Sequence, residues 1–164
     1  MWYPDSEYAH SCGGSIVDNS TIITIKDYIQ LETNPNKAGK FKKLFVMVGS
    51  TKVQNGKNIL VDKIIMYNNE LKTNKFGQGN LALLKLSSPI TFNENTQPIC
   101  LPDHELDVQF LKRGQECFVS GWGSLKNHNP PGPMPTELQW GKVRVTDIET
   151  CQSMGQHSFL YFAL

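Results

Sequence analysis

The apolar residues of this 164-residue chain come in runs too short for helices, each closed off by turn formers. Leu44-Phe-Val-Met-Val48 stops at Gly49 and reads as a strand. Asn55-Gly56 stands between Thr51-Lys-Val53 and Ile59-Leu-Val61. That pair predicts a two-residue hairpin, because a type I′ turn needs φ > 0 at both central positions. Val61–Met66, Leu81–Leu86 and Leu138–Val145 read as further strands, the last interrupted by Gly141. Asn129-Pro-Pro-Gly-Pro-Met-Pro135 is expected to be an exposed loop, since proline fixes φ and lacks a backbone donor. Only Thr146-Asp-Ile-Glu-Thr-Cys-Gln152 predicts a helical turn, with Thr146 or Asp147 as its cap. Many short strands between such turns imply an all-β barrel or sandwich.

Composition narrows the function classes. Hydrophobic residues make up 39% and charged residues 19%, the balance of a globular chain rather than a disordered one. The formal net charge of +1 points to neither nucleic acid nor an anionic membrane as partner. No stretch approaches the ~20 apolar residues of a membrane-spanning helix. Met1-Trp-Tyr-Pro-Asp lacks the basic and apolar regions of a signal peptide. Lys37, Lys40, Lys42 and Lys43 form a small basic cluster, read as a solvated loop. His10, His104, His128 and His157 lack metal-ligand spacing, so neither a metal nor a cofactor is expected.

Five motifs, in order, carry a family resemblance. The first is His10-Ser-Cys-Gly-Gly-Ser-Ile-Val-Asp-Asn-Ser-Thr-Ile-Ile-Thr-Ile-Lys-Asp-Tyr28, the second Gly79-Asn-Leu-Ala-Leu-Leu-Lys-Leu86. Ile90 to Pro102 ends in P-I-C-L-P, and Gly114 to Gly123 carries C-F-V-S-G-W-G. Leu138 to Cys151 follows as L-Q-x-x-x-V-x-V-x-x-x-x-x-C. Together they resemble the trypsin-like serine proteases from about His10 to about Cys151. The resemblance implies a double six-stranded β-barrel. Residues 1–103 would hold a nearly complete first barrel and linker, and 104–164 a truncated second barrel. Exposed apolar surface is expected around Trp122, Trp140 and the tail Phe159–Leu164.

The same alignment puts the family's catalytic His on Asp27 and its catalytic Asp on Asn80. A serine hydroxyl becomes a nucleophile only when a base of near-neutral pKa takes its proton, and a carboxylate must orient that base. Aspartate carboxylates ordinarily titrate near ~3.9, too low for the task. In a serine-protease triad, exchanging the orienting Asp for Asn alone lowers kcat ~10⁴-fold. No G-D-S-G-G-P follows Cys151, so the nucleophilic Ser, the oxyanion hole and the specificity pocket are expected to be missing. Neither His157-Ser158 nor Cys12 beside His10 makes a convincing substitute site.

The resemblance also bears on Cys12, Cys100, Cys117 and Cys151. Cys12 would pair at the position held here by Tyr28; Cys100 would pair with a pro-segment, and Cys117 and Cys151 with downstream cysteines. All four are therefore expected to lack their family partners. Each missing bridge would cost a small secreted domain ~2–5 kcal/mol. Thr21 and Ile25 replace a family Trp and Ala, so this segment is expected to pack differently. Asn19-Ser-Thr21 is an N-glycosylation sequon, of consequence in a secretory setting.

Three functions follow from the resemblance. The first is a catalytically inactive homologue that acts, extracellularly like its family, as a binding or regulatory module for a protein partner or protease inhibitor. The second is a non-functional fragment or splice product. The third is a serine endopeptidase whose sequence is incomplete, disfavoured because Asp27 and Asn80 lie inside the chain.

Overall fold

The computed structural model describes residues 12–27, 29, 43–53, 55–66, 80–102, 112–125 and 134–153. The four histidines, Tyr28, most of the basic cluster, the core of the proline-rich segment and the tail lie outside them. Contacts divide the chain near Ile99–Cys100 into two units.

The first unit is one antiparallel sheet. Its strands are β1 (Ser15–Asp18), β2 (Thr21–Ile25), β3 (Phe45–Val48), β4 (Lys57–Met66) and β5 (Leu81–Leu86). They lie in the order β1-β2-β5-β4-β3. Alternation explains which face is covered: Ala82, Leu84 and Leu86 of β5 are buried while their neighbours are not. In register, Leu84 lies opposite Ile22 of β2 on one side and Ile64 of β4 on the other. Ile29, Val46, Ile59 and Ile90 complete this core.

β4 serves two neighbours. Its first half pairs with β3 and its second half with β5, and the register slips between Val61 and Lys63. Asp62 is the extra residue of that bulge, which bends the strand and lets one sheet curl. Two runs expected as separate strands, Ile59–Val61 and Val61–Met66, are thus one.

The expected type I′ turn at Asn55-Gly56 is corrected. Val48 pairs with Lys57, so the connection runs from residue 49 to residue 56, and Thr51–Val53 is not a strand. Gly49 carries the positive φ, at 87°, and Gly56 does not. Gly56 is required for another reason: a Cβ there would meet Met47 Cγ and the Val48 carbonyl oxygen, each at 2.6 Å. The signal located the connection but misassigned its geometry.

The second unit holds a two-stranded antiparallel ribbon, β6 (Glu116–Gly121) with β7 (Gln139–Arg144). Gly141 pairs with Val119 in unbroken register, so it does not interrupt β7. On one face Phe118 and Trp140 are exposed, with ring centroids 5.8 Å apart, as expected of Trp140; Trp122 is only half-exposed. Lys142 and Arg144 on that face both reach Glu116. The short helix α1 (Ile148–Ser153) follows. Its cap is Asp147, whose Oδ1 accepts the Thr150 N–H at 2.7 Å. Arg113 Nη1 lies 2.7 Å from Asp147 Oδ2 as an ion pair.

Candidate functional site

β2 and β5 are antiparallel neighbours, with Ile25 opposite Leu81. The residues just after β2 therefore meet those just before β5. The chain becomes helical at Lys26-Asp27, and the Lys26 N–H donates to the Asn80 carbonyl at 3.3 Å. The two positions singled out in the sequence, Asp27 and Asn80, are 53 residues apart and come together here.

They meet through a reciprocal pair of hydrogen bonds. The Asp27 backbone N–H donates to Asn80 Oδ1 at 2.9 Å. Asn80 Nδ2 donates to Asp27 Oδ2, also at 2.9 Å. Only one amide orientation satisfies both contacts. Turned over, the amide would set its N–H₂ against a backbone N–H and its oxygen against a carboxylate. Asp27 is exposed and Asn80 half-buried. A charge-assisted bond of this kind is the stronger of the two contacts.

Chemically, this arrangement holds the end of β2 against the start of β5 through an amide and a carboxylate. One face of the Asn80 amide accepts and the other donates, and neither exchanges a proton in ordinary acid–base chemistry. Asp27 Oδ2 is occupied by the amide.

The other end of β2 holds a network that sequence reading missed. Asp18 Oδ1 accepts from the Ser20 N–H at 2.7 Å and the Ser20 hydroxyl at 3.0 Å. Asp18 Oδ2 accepts from the Thr21 hydroxyl at 2.8 Å, and Lys85 Nζ donates to that same Thr21 oxygen. These bonds, led by the Ser20 N–H, hold the Asp18 carboxyl below the usual carboxylate range. Asp followed two residues later by Ser was the available signal, since Asp readily bonds the backbone two residues on. Thr21, where the family carries Trp, is buried inside this polar bridge.

Cys12 is buried with its Sγ 3.6 Å from Thr24 Oγ1, while Cys100 is exposed and Cys117 half-buried. Among the described residues no disulfide joins these three; the Cys151 side chain lies outside the description. No group of three metal-ligating side chains occurs among the described residues. No described helix is long and apolar enough to cross a membrane. Asn19 lies exposed in the β1–β2 turn.

A curled antiparallel sheet followed by a second β unit is the all-β architecture of a trypsin-like serine protease. Two comparisons bear on that class. The Trypsin family model matches residues 3–161, and the chain belongs to that family. A solved structure described as neuropsin, a serine protease expressed in the limbic system of mouse brain, shares the fold with a TM-score of 0.68. The two are 21% identical, and the match covers 92% of this chain but 61% of that one. The chain thus spans less than two thirds of the structure it matches.

Proposed function

We propose that this trypsin-family chain is a pseudoprotease: it does not hydrolyse peptide bonds and acts as an extracellular binding or regulatory module. The observation that carries this reading is the Asp27–Asn80 clip. The resemblance assigns these residues to the base and its orienter. The clip uses both for holding the end of β2 against the start of β5. A catalytic His would need to swing its ring toward a nucleophile; a carboxylate bonded to an amide has neither the reach nor the basicity. The partner this reading favours is a protein, either another protease or a protease inhibitor that recognises the family's surface.

The test is direct, and it applies equally to any longer form containing these residues. The purified protein is incubated with peptidyl substrates and with a serine-reactive phosphonate. The expected outcome is neither turnover nor covalent labelling. Stoichiometric labelling, abolished by heat denaturation, would overturn the proposal.

A further inference from the structure

We infer that Asn19 is an N-glycan acceptor, and that the β1–β2 turn is built to carry the sugar without disturbing the fold. Thirteen asparagines occur in the chain, and only Asn19 is followed by any residue except proline and then Ser or Thr. A sequon alone is weak, because such tripeptides arise by chance. The structure adds three observations. Asn19 is exposed, at the turn between β1 and β2. Its backbone is anchored, since its carbonyl accepts the Ile90 N–H at 2.6 Å. Its neighbours are anchored too: Asp18 binds Ser20 and Thr21, and Lys85 binds Thr21.

The division of labour follows from these bonds. Ser20 and Thr21 supply the polar contacts that close the turn. The Asn19 side chain is left facing solvent, so a bulky glycan on it displaces no packed group. The sequon hydroxyl is buried in the finished fold. Transfer therefore belongs to the nascent chain, before β2 joins β5. Acceptor and clip lie at opposite ends of β2, roughly 20 Å apart at the rise of a strand. A glycan at Asn19 thus leaves the Asp27–Asn80 end of the sheet open. The inference is independent of whether the protein hydrolyses peptides, and it fits a family whose members are often secreted.

The full chain behind a cleavable leader, expressed in mammalian cells, tests this. Lysate and medium are both read, before and after peptide-N-glycosidase. The expected result is one glycosylated band that collapses on treatment, leaving aspartate in place of Asn19 by peptide mass. Asn19→Gln should run at the collapsed position, and Thr21→Ser should keep the glycan. A wild-type band unmoved by the enzyme, or an Asn19→Gln band that still moves, would overturn the assignment. Thermal unfolding tests the accommodation separately: the glycosylated form should melt at the same temperature as the enzyme-treated form or higher. A lower midpoint would refute it.

Discussion

Asn80 shows how much chemistry one atom decides. Replacing its Nδ2 by oxygen, Asn80→Asp, would set a second carboxylate against Asp27 Oδ2 where a donor now lies 2.9 Å away. Two carboxylates in contact cannot both ionise freely, so at least one would titrate above its ordinary value. Such a raised carboxylate destabilises the fold above its folded pKa, and the penalty fades as pH falls below it. Asn80→Asp should therefore lower the unfolding free energy at pH 7, by about 1 kcal/mol for this pair. The deficit should shrink toward pH 4; a pH-independent deficit would count against the clip. Asp18 gives the opposite dependence. Its folded value is depressed, chiefly by the Ser20 N–H. Its stabilisation is fully present above about pH 4, the unfolded value, and is lost as pH falls through the depressed one. Asp18→Asn should lower stability at neutral pH and flatten the acid limb of the stability curve, measured by denaturant titrations across pH 2–6 or so. The Asp27–Asn80 identities were legible in the sequence from resemblance. Their mutual bonds were not, because a contact across 53 residues depends on strand order.

The β3–β4 hairpin separates what turn residues announce from what they do. Asn55-Gly56 marked the connection correctly, yet the positive φ belongs to Gly49 and the crowding to Gly56. Register explains the difference: Val48 opposite Lys57 forces an eight-residue connection that packs back on Met47 and Val48. Gly56→Ala should cost about 1–3 kcal/mol through overpacking, because the Val48 carbonyl cannot swing aside like a side chain. A denaturant titration checks this, and a silent substitution would show that the connection is looser than it looks. Helix α1 was legible because its cap is local: Asp147 needs only the N–H three residues on. Sequence left Thr146 and Asp147 as equal candidates, and the backbone direction chose Asp147. Asp147→Ala should speed amide exchange in α1 and leave the five-stranded sheet unaffected.

In the first unit, one apolar row ties the strands together. Leu84 is fully buried between Ile22 and Ile64 and sits in the central strand. Leu84→Ala should destabilise the protein by about 2–5 kcal/mol, since a central strand cannot collapse onto the cavity. The denaturant midpoint should fall while the slope stays constant. The ribbon of the second unit offers no comparable row: Phe118 and Trp140 are exposed, so Trp140→Ala should cost far less. The chain's β class, its turn positions and its trypsin-family membership were all written in local patterns. Alternation, turn chemistry and short motifs act over a few residues, and a sequence displays them directly. What only the tertiary structure decided were the long-range pairings: β5 between β2 and β4, the bulge at Asp62, and the Asp27–Asn80 clip. Those depend on which strand lies beside which, and a linear pattern holds no record of neighbours brought together from 53 residues away.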